Sequence, residues 1–267
     1  MKTLLLITYT LLINIATAQV RGTLIIAGVA KDGVIMVADS RGSTVNKEGK
    51  LIAYIDSIPK IFRLKEIYVG ITGQWSIGNT FISTIISDFN KSKNKSKDFT
   101  SIVNDFVKYT DSLYPVAKFA GSDKTSFIFV GSDSTNYLIQ GYMRDLGFTR
   151  IIRKKTLISD NKAVLYLGNF YEYCSLHSTD TLAKVFTKAI YTYAKDANLQ
   201  YEIGGPLSIV CIGLNNKVKY FKNSFSQNVY ISYQELIHDL RIGKRKFIPI
   251  VPGGDKEAIK NIAENHN

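Results

Sequence analysis

The residues best suited to chemistry are a hydroxyl, a carboxylate and a guanidinium that flank two short apolar runs near the start of the chain. Thr23 precedes the first run, Leu24–Val29, and Asp39 and Arg41 follow the second run, Val34–Ala38. An Asp-Gly pair between two β-prone runs is typical of a β-hairpin. Because the start of one strand lies beside the end of the other in a hairpin, we expect these three residues to lie close together.

The segment before Thr23 has the pattern of a secretory signal peptide. Met1–Thr3 is short and positive, Leu4–Ile15 is mostly apolar, and Ala16-Thr17-Ala18 is a small-x-small cleavage site. An uncleaved membrane anchor is the alternative, but about a dozen apolar residues fall short of the roughly 20 that cross a bilayer. We therefore expect cleavage after Ala18, export to the periplasm or outside the cell, and no stable membrane insertion afterwards.

The stretch from Arg21 to about Gly78 resembles the start of mature proteasome β-type subunits and related N-terminal nucleophile (Ntn) hydrolases. The residues that carry the resemblance are Gly22-Thr23, Asp32-Gly33, Ala38-Asp39-Ser40-Arg41, Pro59-Lys60-Ile61-Phe62 and the glycine-containing turn Tyr68–Gly73. The match to the family pattern needs a small insertion around Asn46–Leu51, and beyond Gly78 the chain is similar only in general layout. The chain thus resembles an exported, divergent member of this superfamily.

The resemblance implies a threonine-type peptidase or amidohydrolase in which Thr23 is the nucleophile. Family members free this threonine by autocatalytic cleavage, and Gly22 suits that step because glycine tolerates strained backbone geometry. A threonine hydroxyl needs a base, and a freed α-amine, with an ordinary pKa of about 7.7–8.0, can accept its proton near neutral pH. A nearby ammonium, Lys60, would lower the pKa of that amine.

The remaining family residues are expected to support this pair. Asp39 would hold Lys60 in place, and Arg41 would orient Asp39 through its planar guanidinium. The backbone N–H of Gly73 would stabilise an oxyanion. Taken singly, each residue could instead be structural, and an exposed ion pair at a strand end would contribute only about 0–1 kcal/mol to stability.

The sequence departs from the family in the residues around the threonine amine. The family has a Gly-Ser pair after a later strand, where this chain has Gly168-Asn169, and the amide of Asn169 could supply hydrogen bonds instead. Gln200 and Ile203 occupy positions where the family has an Asp and a Ser before a Gly-Gly pair. These changes leave open a catalytically inactive binding or structural protein, and a small-amide acylase is a further alternative.

The order of elements is strands, two helices, strands, a helix and strands, which favours an α+β class with two antiparallel sheets. Apolar spacing predicts helices over Ser76–Phe89, Asp98–Leu113 and Thr179–Ala197. The resemblance implies the four-layer αββα sandwich of Ntn hydrolases. The expected organisation is a signal peptide at 1–18, a short propeptide at 19–22, the Ntn-like domain at 23–225, and a C-terminal extension at 226–267 with one weak helix, Ser232–Leu240.

The chain carries a net charge of +12, with basic clusters at Lys91–Lys97, Arg150–Lys155 and Arg241–Lys246. Such clusters can bind anionic partners, but in an exported protein we interpret them as solvated loops and expect no nucleic-acid partner. The expected partner is a peptide or amide substrate. A homo-oligomer is possible by resemblance, since the cytosolic family members stack into rings.

Several other kinds of site lack a sequence signal. The three histidines have no metal-ligand spacing, and no phosphate-binding or dinucleotide motif is present. We therefore expect neither a metal nor a cofactor. Cys174 and Cys211 could form a disulfide in an exported protein, but the sequence does not decide whether they pair.

Overall fold

The computed structural model describes residues 23–46, 48–56, 58–77, 80–93, 96–115, 125–145, 148–156, 162–167, 170–174, 177–222 and 233–264. Within these ranges the backbone alone is described for 143–156, 162–167, 170–174, 220–222, 233–234 and 263–264. Residues 1–22, which contain the predicted signal peptide and propeptide, lie outside the described residues, as do Gly168 and Asn169.

Two sheets make up most of the described structure. The first contains β1 (Ile25–Ala30), β2 (Gly33–Ala38), β12 (Lys162–Leu167), β13 (Phe170–Cys174), β14 (Ser208–Ile212) and β15 (Val218–Lys222), in the order β12-β13-β1-β2-β14-β15. The second contains β5 (Ile61–Leu64), β6 (Ile67–Thr72), β9 (Ser126–Ser132), β10 (Tyr137–Asp145) and β11 (Phe148–Thr156), in the order β11-β10-β9-β6-β5. Neighbouring strands are antiparallel except for β1 and β13, which are parallel.

The smaller elements are two short sheets and several helices. β3 (Gly42–Val45) and β4 (Leu51–Ile55) form a sheet with β16 (Ile248–Pro249), and β7 (Ser76–Ile77) pairs with β8 (Thr80–Phe81). The helices described are α1 (Ile82–Lys91), α2 (Phe99–Leu113), α3 (Thr179–Asp196), α4 (Tyr233–Arg241) and α5 (Gly254–Glu264). The fold is therefore mixed α and β with mainly antiparallel sheets, which is compatible with the predicted α+β class.

The strands β1 and β2 are buried on both faces, and their alternate residues enter two different apolar clusters. Ile25, Ala27 and Val29 point towards Ile128 and Val130 of the second sheet. Leu24, Ile26 and Ala30 belong instead to the cluster formed with the apolar face of α3. On its other face the second sheet packs against α1 and α2, around Phe106, Phe127 and Phe129. The end of the hairpin at which β1 begins and β2 ends thus lies in the interior.

The sequence predicts most of these elements within a few residues. The hairpin of β1 and β2 is confirmed, although its two-residue turn is Lys31-Asp32 and Gly33 already pairs with Ala30. The helix predicted over Ser76–Phe89 begins only at Ile82. The residues before Ile82 form the β7–β8 ribbon, in which Ser76 pairs with Phe81.

Besides the β7–β8 ribbon, the elements β3, β13 and α5 were not predicted from the sequence. The strand Gly42–Val45 is short and largely polar, and α5 has little apolar surface, with Ala258 as a fully buried residue. The weak helix predicted at Ser232–Leu240 is observed as Tyr233–Arg241. Beyond it, β16 pairs with β4, so the C-terminal segment 233–264 packs onto the structure that precedes it.

Candidate active site

The candidate residues lie where the ends of two strand pairs meet in the interior. Thr23 precedes β1 and Asp39 follows β2, and the backbone N–H of Asp39 donates to the carbonyl of Leu24 at 3.2 Å. Lys60 precedes β5, in the other large sheet. Thr23, Asp39 and Lys60 are respectively 3%, 0% and 3% exposed. The packing of the two sheets therefore brings together residues that are up to 37 positions apart in sequence.

Lys60 is the centre of this cluster. Its Nζ donates to Thr23 Oγ1 at 2.9 Å, to the Asp39 carboxylate at 3.0 and 3.1 Å, and to the carbonyl of Arg41 at 2.6 Å. An ammonium has three protons to donate, and these contacts supply three acceptor groups. The geometry is therefore that of a charged lysine hydrogen-bonded to the hydroxyl of Thr23.

Asp39 is held by backbone donors as well as by Lys60. The N–H groups of Leu24, Arg41 and Gly204 donate to its carboxylate at 2.8, 3.0 and 3.2 Å. Four donors around one carboxylate match its ionised form. Burial nonetheless raises the pKa of Asp39 above its ordinary value and lowers that of Lys60, while the attraction between the two groups opposes both shifts.

The predicted role of the Arg41 guanidinium is wrong. Instead of orienting Asp39, it forms a bidentate pair with Asp56, with Nε–Oδ1 and Nη2–Oδ2 distances of 2.7 and 2.9 Å. Its Nη1 donates to the carbonyl of Gln200. Arg41 touches the cluster through its main chain, because its N–H donates to Asp39 and its carbonyl accepts from Lys60.

The ion pair of Lys60 and Asp39 also differs from the exposed strand-end pair considered above. Both side chains are buried, so the energy expected for a surface pair does not apply. Removing one member of a buried pair leaves an uncompensated charge, which typically costs about 3–5 kcal/mol.

A pocket opens beside Thr23. It holds about 420 Å³ of empty space, counting the part that is open to solvent. Thr23, Lys60 and Gly73 line one part of it, and most of the other lining residues are apolar: Ile58, Pro59, Phe62, Ile71, Trp75, Phe81 and Ile82, together with Gln74 and Ser83. Gly73 has φ +88°, in the left-handed region that favours glycine. Because most of the lining is apolar, an apolar group could enter the pocket next to the hydroxyl of Thr23.

The departures from the family fall partly within the described residues. The side chain of Ile203 is 2% exposed and belongs to the apolar cluster of α3, so this position offers no hydroxyl. Gln200 contributes its carbonyl to Arg41. Asn169 lies outside the described residues, just before Phe170, whose backbone pairs with Ile25 of β1.

Three contributors were missed by the sequence analysis. Gly204 supplies a backbone donor to Asp39, and the Gly-Gly pair to which it belongs was the available signal. Asp56 follows β4, and pairing of Gly42 with Ile55 places it beside Arg41. This partner was hidden because β3 was not predicted. Trp75, in the pocket wall, follows the glycine turn and is the single tryptophan of the chain.

The described residues contain neither a metal-binding cluster nor a membrane-spanning helix. Among them, no group of three or more His, Cys, Asp or Glu side chains is placed to hold a metal ion. No helix in the described part of the chain is long and apolar enough to cross a membrane. Cys211 is a buried free cysteine, and burial raises the pKa of its thiol to about 12. The side chain of Cys174 lies outside the described residues.

Comparison with known proteins gives likenesses in structure but no match in sequence. No protein-family model and no curated protein sequence matches the chain. Among solved structures it is similar to Anbu (ancestral β-subunit) from Yersinia bercovieri, at 10% sequence identity and a TM-score of 0.48, over 76% of this chain and 87% of that one. A likeness at this TM-score carries no argument about the site, which therefore depends on its own geometry.

Proposed function

We propose that this protein is an exported hydrolase that cleaves amide bonds with Thr23 as an N-terminal nucleophile, peptides being the expected substrates. The observation that carries the proposal is the buried contact between Lys60 Nζ and Thr23 Oγ1 at 2.9 Å. A cation that donates to a hydroxyl oxygen stabilises negative charge as it develops there. A lone structural threonine has no need of a buried ammonium held by a buried carboxylate.

The proposed reaction proceeds through an ester. Thr23 Oγ1 attacks the amide carbon while its proton passes to the free α-amine, and the C–N bond then breaks as that proton moves to the leaving amine. Water, deprotonated by the same α-amine, attacks the ester, releases the carboxylic acid and restores the hydroxyl. Lys60 contacts the reacting oxygen throughout, and Asp39 is a positioning residue that acts through Lys60.

The α-amine must first be released, and we propose that Thr23 does this itself. Its Oγ1 would attack the carbonyl carbon of Gly22 and take over the acyl group, so that the bond to nitrogen breaks and an ester forms. Hydrolysis of this ester by water would leave a carboxylate on Gly22 and a free amine on Thr23. Removal of residues 1–18 during export would come before this step.

The apolar pocket favours substrates with an apolar side chain next to the scissile carbonyl. Ile58, Trp75 and Phe81 line the pocket, and no Asp or Glu is among its lining residues. Burial of an apolar side chain there would contribute about 25 cal/mol per Å² of apolar surface. Gly73 would offer its backbone N–H to the oxyanion on the far side of the bond.

The proposal extends to the architecture. We propose that the helices α1 and α2, the two large sheets and α3 form the four-layer αββα sandwich of Ntn hydrolases, with residues 23–225 as the domain. The order of the core clusters, helix to sheet, sheet to sheet and sheet to helix, supports this. The C-terminal segment would then be an addition to that domain.

The test joins processing to activity. The protein is expressed with its leader in a secreting host, and its mass and N-terminal sequence are determined. Wild type should begin at Thr23 and hydrolyse a peptide amide, whereas Thr23→Ala should begin at Gln19 and be inert because the attacking hydroxyl is gone. Thr23→Ser, which retains a hydroxyl, should still be processed. A wild type that begins at Gln19 and is inert would contradict the proposal.

A second candidate function is a binding protein that keeps this fold without catalysis. It is favoured by the buried apolar side chain of Ile203, where the resemblance leads one to expect a hydroxyl near the amine. A wild type that begins at Gln19, is inert towards peptide amides and still binds a peptide would support this candidate.

A further inference from the structure

We infer that the C-terminal segment, residues 233–264, braces the wall of the pocket and that Trp75 is the specificity-determining residue through which it acts. The inference deepens the proposed function and rests on it for the identity of the ligand. It concerns a part of the chain that lies beyond the domain expected from the resemblance. Contacts from both sides of the wall carry it.

One cluster of apolar side chains joins the C-terminal segment to the pocket. Leu236, Leu240, Phe247 and Ala258 of the segment are buried in it, at 0–9% exposure. Ile58 and Phe81 belong to the same cluster, and Trp75 packs against it. These last three residues also line the pocket beside Thr23. The inner side of the wall therefore faces the candidate nucleophile and its outer side faces the C-terminal segment.

Trp75 is held on two sides. Its ring lies 6.5 Å from that of Phe81 at an interplanar angle of 26°, a stacked arrangement. A Cβ added to Gly42 would come within 1.7 Å of the Trp75 ring, so the indole rests directly on the backbone of β3. The neighbouring residue Arg41 supplies the carbonyl that accepts from Lys60. The position of the indole is thus tied to the backbone that holds the ammonium.

The segment is anchored to β4 by its main chain. Ile248 pairs with Tyr54, and the N–H of Ile250 donates to the carbonyl of Ile52 at 2.8 Å. The helix α5 begins against the same carbonyl, because a Cβ on Gly254 would lie 2.2 Å from it. Ile52 is itself a member of the shared cluster. The brace is therefore fixed at a defined distance from the pocket wall.

Loss of contacts from the C-terminal segment should affect some substrates and not others. Loosening the brace frees Trp75 and alters the pocket, but it leaves the contacts among Thr23, Asp39 and Lys60 in place. Substrates that fill the pocket should lose binding, while those that leave it empty should not. A segment that served only stability would lower the unfolding temperature without this discrimination.

The test uses Leu236→Ala, with Ile259→Ala as the matched control on α5, since Ile259 is 38% exposed. Both folded proteins are studied well below their unfolding temperatures. Trp75 is the single tryptophan, so quenching of the intrinsic tryptophan fluorescence by acrylamide reports on this ring alone. Leu236→Ala should raise the quenching constant about twofold or more, because a half-buried indole loses part of its cover, and Ile259→Ala should leave it unchanged.

The second readout compares acetyl-Ala-Ala-Leu-amide with acetyl-Ala-Ala-Gly-amide. Leu236→Ala should raise KM for the leucine amide by about fivefold or more, in the range that apolar pocket contacts contribute, without changing kcat or the KM for the glycine amide. If no amide is hydrolysed, the Kd of each peptide is measured from the change in Trp75 emission. That result would overturn the proposed function while still testing this inference.

A milder variant guards against misfolding. Ile262→Ala trims a half-buried side chain at the edge of the same cluster and should give smaller changes of the same kind. Trp75→Phe, which keeps an aromatic ring but loses the indole, should reproduce the selective loss for the leucine amide. If the folded variants of Leu236 or Ile262 show wild-type quenching and wild-type discrimination between the two peptides, the inference is overturned.

Discussion

The two ends of the first hairpin contain the same ingredients in different surroundings. At the open end, Asp39 accepts from Lys60 and from backbone N–H groups, and both side chains are at most 3% exposed. At the turn, Asp32 accepts from Lys219 at 2.9 Å and from the N–H of Thr179 at 2.8 Å. There the side chains are 38% and 39% exposed. The same hairpin thus has a buried ion pair at one end and an exposed ion pair at the other.

The pKa values of the two carboxyl groups are shifted in opposite directions. At Asp39 the loss of solvation is the largest contribution, and the pKa lies above its ordinary value. At Asp32 the loss of solvation also acts to raise the pKa, but the hydrogen bonds from Lys219 and Thr179 outweigh it and the pKa is lowered. A carboxylate and a lysine at a strand end are therefore structural at one end of the hairpin and suited to chemistry at the other.

The largest effect should follow loss of Lys60. Lys60→Ala removes the donor to Thr23 Oγ1 and leaves Asp39 buried without its ammonium. We expect most amidase activity to be lost and the free energy of unfolding to fall by about 3–5 kcal/mol. Chemical denaturation and peptide-amide hydrolysis measure the two effects. A variant with wild-type stability would show that the pair is not buried as described.

The ion pair of Arg41 with Asp56 is intermediate in exposure, with side chains that are 14% and 29% exposed. Arg41→Lys keeps the charge but loses the planar fork and the donor to the Gln200 carbonyl. We expect a loss of about 1.5–3 kcal/mol in unfolding free energy and a smaller loss of activity than for Lys60→Ala. The backbone contacts of Arg41 to Asp39 and Lys60 do not depend on its side chain. Activity as low as that of Lys60→Ala would contradict this assignment.

The sequence predicted which residues lie at the ends of the hairpin better than it predicted their burial. The hairpin and the proximity of Thr23, Asp39 and Lys60 follow from strand pattern and family resemblance. Their burial depends on how two sheets stack, through contacts such as Met36 with the second sheet, which no local pattern specifies. Asp56 stayed hidden because the polar strand β3 carries little β signal, and the C-terminal brace because α5 buries little apolar surface.

The exposed pair at the turn should contribute little. Lys219→Ala removes one partner of Asp32 but leaves the donor from Thr179, at the start of α3. We expect unfolding free energy to change by about 0.2–1 kcal/mol, with the change reduced at high salt because the pair is open to solvent. Urea titrations at low and high ionic strength measure it. A loss comparable to that of Lys60→Ala would remove the contrast between the two ends.

The smallest expected effect is the pH dependence of the contribution of Asp32 to stability. It distinguishes the two ends of the hairpin because the pKa values of Asp32 and Asp39 are shifted in opposite directions. The pKa of Asp32 is lower in the folded state than in the unfolded chain, so its stabilisation is present above the unfolded value, about 3.9, and is lost as pH falls through the lowered folded value. The pKa of Asp39 is raised, so its contribution to stability has the opposite pH dependence and is lost as pH rises through the raised value.

Carbon-13 NMR titration of the carboxyl groups should place the midpoint of Asp32 below 3.8 and that of Asp39 above it. The difference in unfolding free energy between wild type and Asp32→Asn should correspondingly shrink as the pH is lowered towards the midpoint of Asp32. Midpoints in the reverse order would show that burial does not distinguish the two ends of the hairpin.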